Sequence, residues 1–140
     1  MVNLPLFTPF LGEEHLLAGH LDEALSVARQ ALALARDRKE RGHEAWALRL
    51  RGEIHAHRDP PETEVAEGYY REALALADEL GMRPLLAHCH LGLGTLAGRM
   101  GDSKKACEDL STAARMYREM GMTFWLAKAE APLEQLQGER

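Results

Sequence analysis

The sequence predicts an all-α fold, an α-solenoid of about three long helix pairs and one terminal helix, and three observations carry that expectation. Gly12, Gly52 and Gly94 stand 40 and 42 residues apart, and a fixed period of this size marks a stacked-repeat architecture. Downstream of each glycine lies an alanine pair, Ala24/Ala31, Ala66/Ala73 and Ala106/Ala113, always seven residues apart. Apolar residues recur at helical spacing, and no stretch alternates with period two long enough to form a strand.

Seven helices follow, at about 9–18, 21–41, 43–57, 61–80, 83–100, 102–120 and 123–136. Residues 1–8 are apolar and hold a proline, and they extend the first helix or lie along it. The second helix repeats Ala24, Leu25, Ala28, Ala31, Leu32 and Ala35 on one face, and the fourth repeats Ala66, Tyr69, Tyr70, Ala73, Leu74 and Ala77. Between them Asp59-Pro60-Pro61-Glu62 reads as a helix start, with Asp59 as cap, Pro60 in the first helical position and Glu62 returning a bond to the cap. Gly101-Asp102 ends one helix and caps the next. Gly42, Gly81 and Gly121 are expected as left-handed residues behind helix ends. The terminal helix turns Glu130, Glu134, Gln135 and Gln137 outward and covers the last apolar face. The whole chain, 1–140, is expected to be a single domain, with repeats at about 5–41, 43–80 and 83–120 and the covering helix at about 123–136.

Composition narrows the function. At 46% hydrophobic and 28% charged residues the chain is globular, and with 6% aromatics it relies on Ala and Leu for close helix packing. A net charge of −5, with Arg36, Arg38, Lys39 and Arg41 interleaved by Asp37 and Glu40, argues against a nucleic-acid partner. Apolar runs stay short of the roughly 18 residues a membrane span needs, and the N-terminus lacks a signal-peptide pattern. Cys89 and Cys107 read as reduced thiols of a cytoplasmic protein.

The ladder resembles the tetratricopeptide signature W-x2-L-G-x2-Y…A-x3-F. The third copy reads His90-x2-Leu93-Gly94-x2-Ala97 and Ala106-x3-Leu110; the second reads Leu48-x2-Arg51-Gly52-x2-His55 and Ala66-x3-Tyr70; the first reads Thr8-x2-Leu11-Gly12-x2-His15 and Ala24-x3-Ala28. The resemblance implies a right-handed superhelix in which the small residues mark close helix contacts. Arg51 departs from it, standing where the motif has an apolar residue, and Ala97-Gly98 lacks the expected bulk. The strings 41–50, 79–94 and 116–126 are also similar to the C-terminal repeat region of large bacterial signalling proteins that carry cyclase-like and AAA-type ATPase domains.

Catalytic and metal chemistry find little support. His55/His57 and His88/His90 are two residues apart, so they do not face each other on a helix, and Glu53 and His57 read as ordinary polar positions. No metal or cofactor is expected. Gly92-Leu93-Gly94 is not followed by the Lys-Ser/Thr of a phosphate loop, and the cysteines lack CxxC spacing. His15 and His55 fill the tyrosine slot of the motif and are expected to pack between paired helices, while Met120, Met122, Phe124 and Trp125 pack against the preceding helix.

The resemblance implies a non-enzymatic protein–protein interaction module of a bacterial signalling system, binding a peptide or protein segment in a concave groove. Carried over by position, the groove takes Trp46, Arg49, Glu53 and His57 from one copy, His88, Leu91, Thr95 and Arg99 from the next, and Lys128 from the terminal helix. Two alternatives stand beside it. Leu4, Leu6, Phe7 and Phe10 form an apolar N-terminal cluster suited to homodimerisation. Long repeats of maltose-regulator-type activators suggest, by analogy, small-molecule effector sensing.

Overall fold

The computed structural model describes residues 20–58 and 60–138, and every regular element among them is an α-helix. The helices are α1 Leu21–Asp37, α2 Arg41–Ala56, α3 Thr63–Leu80, α4 Arg83–Arg99, α5 Ser103–Met120 and α6 Thr123–Gly138. The helix expected at 9–18, with Gly12 and His15, and the N-terminal residues Leu4, Leu6, Phe7 and Phe10 lie outside the described residues. The chain divides into two compact units, Met1–Leu80 and Gly81–Arg140.

In the first unit α1 packs on α2, and α2 on α3. The buried face of α1 is Ala24, Ala28, Ala31, Leu32 and Ala35, mostly small, and Leu50 and Ile54 of α2 lie against Ala24 and Ala28. Each fully buried Leu or Ile contributes about 1.5–3 kcal/mol. From α3, Ala66, Tyr70, Ala73 and Ala77 are buried, every third or fourth residue, as the helical period requires. Gly52 is the closest approach: a Cβ there would stand 3.0 Å from the Tyr70 ring. The start of α2 is tied to the end of α3 by Arg41, whose Nη1 and Nη2 donate to Glu79 at 3.0 and 2.7 Å.

The second unit repeats these contacts. A Cβ on Gly94 of α4 would stand 2.8 Å from Leu110 Cγ and 3.1 Å from its backbone N. Ala106 and Ala113 are fully buried, and Arg83 Nη2 donates to Glu119 at 2.8 Å. Helix α6 sets Trp125, Leu126 and Ala129 against Ala113, Met116 and Tyr117, together with Met120 and Met122. Its Leu133 and Leu136 pack on Ala97, Ala106 and Leu110. Glu134, Gln135 and Gln137 face outward as expected, and Glu130 accepts from Arg118 at 3.1 Å. Phe124 departs from expectation: it is 65% exposed, because its neighbour Trp125 occupies the packed side.

Helix ends explain the remaining differences. Gly81, Gly101 and Gly121 have φ of 70°, 82° and 70°, and Asp102 caps α5 by accepting from the Lys105 N–H at 3.1 Å. Gly42 is not left-handed. It lies inside α2, and Lys39, with φ 59°, takes the left-handed position instead, so α1 stops at Asp37 rather than near 41. The Glu40 N–H then closes on the Ala35 carbonyl at 2.8 Å, as Asp102 does on Ala97 and Met122 on Tyr117, both at 2.9 Å. Pro60 is not the first helical residue, since α3 begins at Thr63. Glu62 turns its carboxylate to His55 Nδ1 at 2.9 Å and Arg58 Nε at 3.0 Å; Asp59 lies outside the described residues.

Candidate functional site

Trp46, Arg49, Glu53 and His57 rise along one side of α2 at steps of three and four residues. They differ in what they offer. Arg49 is 8% exposed, with its guanidinium 6.0 Å from the Trp46 ring centre and Nη2 3.7 Å from Glu53 Oε1. Glu53 Oε1 also accepts from the Tyr70 hydroxyl at 2.6 Å. The carboxylate therefore joins α2 to α3, and both Arg49 and Glu53 serve the helix pair itself. His57 is exposed and donates from Nδ1 to the Glu53 carbonyl at 2.7 Å, which leaves Nε2 as the ring's second hydrogen-bonding atom. Trp46 is half-buried.

The second unit divides in the same way. His88 is 6% exposed, with Nδ1 2.7 Å from the Tyr117 hydroxyl and the Trp125 ring 4.5 Å away in an edge contact. Leu91 packs among the buried residues of α4, α5 and α6. Thr95 is exposed and donates its hydroxyl to the Leu91 carbonyl at 2.8 Å. Arg99 in the last turn of α4 and Lys128 of α6 are exposed, the latter with Nζ 5.0 Å over the Phe124 ring. Of the positions chosen from sequence, His57, Thr95, Arg99 and Lys128 present polar groups outward; Arg49 and His88 are interior.

A polar cluster in the first unit was not foreseen. The Arg51 guanidinium stacks 4.3 Å over Tyr69, and the His55 ring lies parallel to the same tyrosine at 5.5 Å. Arg51 thus enters its apolar slot by covering an aromatic face. His55 is 7% exposed and packs at the helix pair as expected of the tyrosine slot. Its hydrogen bond to Glu62, more than the charge of Arg58, holds the Glu62 carboxyl below its ordinary value. The signal in the sequence was the cation itself: an arginine one turn from a histidine on a packed face calls for an aromatic or acidic neighbour.

Among the described residues no three His, Cys, Asp or Glu side chains gather as metal ligands, and no helix is long and apolar enough to cross a membrane. Cys89 is buried and Cys107 partly so, and neither forms a disulfide among the described residues. Neither the protein-family models nor the curated proteins compared with this chain gave a match.

Proposed function

We propose that the chain is a tetratricopeptide-like α-solenoid acting as a non-catalytic interaction module that binds a protein or peptide segment through its first helices. The observation that carries this reading is the recurrence of one helix-pair plan in two units. Gly52 under Tyr70 and Gly94 under Leu110 are the same contact, and Arg41–Glu79 and Arg83–Glu119 the same ion pair. The outer residues do not recur: exposed His57, just past the end of α2, corresponds by register to Arg99 in α4, and the half-buried Glu53 to exposed Thr95. Repeating the frame while varying the exposed positions is how stacked-repeat proteins build an extended recognition surface. Each unit by itself offers exposed polar groups at the end of its first helix, His57 in one and Thr95 with Arg99 in the other, suited to the backbone and carboxylates of an acidic segment. A bacterial signalling context rests on the sequence resemblance alone.

Panning a displayed random-peptide library on the full chain tests the reading. Enriched peptides are expected to carry acidic residues, and to lose binding to His57→Glu and Arg99→Glu variants whose helicity is unchanged. Enrichment no better than on an unrelated helical protein, or binding indifferent to both reversals, rejects it.

A further inference from the structure

Helix α6 carries a self-complementary pattern on its outer side. Its inner side is committed to the second unit through Trp125, Ala129, Leu133 and Leu136. Phe124, Lys128, Ala131, Glu134 and Gly138 are all exposed and return to the opposite side of the helix. Phe124, 65% exposed, is the most exposed large hydrophobic among the described residues. Lys128 and Glu134 stand three residues before and after Ala131, and Phe124 and Gly138 seven before and after.

We propose that this face binds a second copy of the chain, α6 against α6, antiparallel about a two-fold axis through Ala131. In that arrangement each residue meets the one equally far beyond Ala131 in the other copy. Lys128 then faces Glu134 of the second copy and the reverse, so the axis generates two opposite-charge contacts at once. Phe124 meets Gly138 of the second copy, a large apolar side chain against a residue with none. Parallel pairing instead sets Lys128 on Lys128, Glu134 on Glu134 and Phe124 on Phe124, so like charges exclude it. An unrelated partner needs to satisfy only one half of the pattern; a second copy accounts for both.

A helix of 16 residues is about 24 Å long, so the contact falls in the small interface class and its dimer is weak and reversible. Salt weakens it, because both charge pairs sit at the exposed surface. The residues involved are not those changed in the peptide-binding test, so the two ideas fail separately.

Sedimentation equilibrium of the full chain over the micromolar to millimolar range, at low salt, decides the matter. The wild type is expected to show a monomer–dimer equilibrium. Lys128→Glu and Glu134→Lys each turn both contacts repulsive and weaken dimerisation roughly tenfold or more. The Lys128→Glu/Glu134→Lys double variant recovers it. So does an equimolar mixture of the two single variants, since every cross-contact in the mixed dimer is again Glu against Lys. Both positions of change are on the exposed side, and circular dichroism checks that helicity is retained; where a reversal lowers it, Lys128→Gln and Glu134→Gln give the same ranking. A wild type that stays monomeric, single reversals without effect, or a mixture that fails to recover overturns the proposal.

Discussion

In α2 and α3 the glycine of closest approach faces a tyrosine ring; in α4 and α5 it faces a leucine. The two pairs align in sequence register, the first helices shifted by 42 residues and the second helices by 40, because two more residues lie between Gly52 and Tyr70 than between Gly94 and Leu110. At the framework positions the chemistry recurs, with glycine below, a bulky residue above and an Arg–Glu tie at the open end. Between those points it changes. Arg51, His55 and Tyr69 of the first unit correspond to Leu93, Ala97 and Asp109 of the second. The first unit fills the space with a stacked cation and two rings; the second has the aliphatic Leu93 and Ala97 and the carboxylate of Asp109, which stands 3.0 Å from His90 Nδ1. One backbone arrangement therefore tolerates either filling, provided the closest approach and the helix ends are kept.

The largest test of that statement is at the two glycines. A methyl group at Gly94 meets the Leu110 backbone N at 3.1 Å as well as its side chain at 2.8 Å, and backbone cannot move aside cheaply. At Gly52 the three nearest atoms all belong to the Tyr70 ring, at 3.0–3.2 Å. Gly94→Ala is expected to lower stability by about 1–3 kcal/mol despite the gain in helix propensity, and Gly52→Ala by about 1 kcal/mol or less. Urea unfolding of the single variants gives the order. In a double-mutant cycle Tyr70→Ala should cancel most of the Gly52→Ala loss, whereas Leu110→Ala cancels only part of the Gly94→Ala loss. Equal losses at the two sites, or full relief at Gly94, breaks the comparison.

Next in size is Arg51. Its Nε and the Nε2 of His55 are buried without hydrogen-bond partners, a cost not found among the described residues of the second unit. Arg51→Leu installs the residue found at the corresponding position, Leu93. The variant gives up the stacking on Tyr69, about 0.5–1 kcal/mol, and removes a buried unsatisfied donor worth about 1–3 kcal/mol. A rise in stability of about 1 kcal/mol is expected from chemical denaturation. A clear loss instead means that the cation–ring stack is the stronger interaction and that the two fillings are not interchangeable.

The described part of the ladder, Gly52 and Gly94 with the buried alanines of α1, α3 and α5, made the helix packing legible because small residues at fixed spacing record where helices approach closely. Two ends governed by glycine were legible for the same reason: Gly81 and Gly121 are left-handed where the sequence placed them, and Gly101 lies at a helix end as expected. The end governed by Lys39 was not, since lysine carries no turn signal and the nearby Gly42 drew the boundary to itself. The start of α3 was misplaced because Glu62 is held by His55 and Arg58, partners that the order of residues does not reveal. On the candidate surface, the positions carried over from the resemblance, Trp46, Arg49, Glu53 and His57, lie on one side of α2 and its last turn. That Glu53 is taken up by Tyr70, 17 residues away, depends on the neighbouring helix and was invisible from α2 alone.

The misread boundary supplies a smaller test. Lys39, Gly81 and Gly121 occupy the same repeat position, 42 and 40 residues apart, yet only Lys39 carries a Cβ in the left-handed region. That conformation costs a non-glycine residue about 1–2 kcal/mol, while glycine loses about 0.5–1 kcal/mol in chain entropy. Lys39→Gly is thus expected to stabilise the first unit by about 0.5–1 kcal/mol, read as a higher thermal midpoint. Gly81→Lys and Gly121→Lys should destabilise by a similar amount. No difference between the exchanges would separate this turn from the other two.

The smallest effect concerns the Arg–Glu ties. Arg41 holds Glu79 by two hydrogen bonds, Arg83 holds Glu119 by one at 2.8 Å, and all four side chains are about half exposed or more. The hydrogen bonds from Arg41, and then its charge, keep the Glu79 carboxyl below its ordinary value of 4.5. A carboxyl depressed in the folded state binds fewer protons there than in the unfolded chain, so its stabilisation is complete above 4.5 and is lost as pH falls from there through the lower folded value. Glu79→Gln should therefore flatten the acid limb of the stability profile slightly, in urea midpoints followed from pH 7 downward. High salt should shrink the difference between variant and wild type, because an exposed pair is screened. Glu119→Gln removes one contact instead of two and should change the midpoint at neutral pH by less. If the two substitutions act equally, the second hydrogen bond of the Arg41 fork adds nothing, and the ties of the two units are equivalent in strength as well as in position.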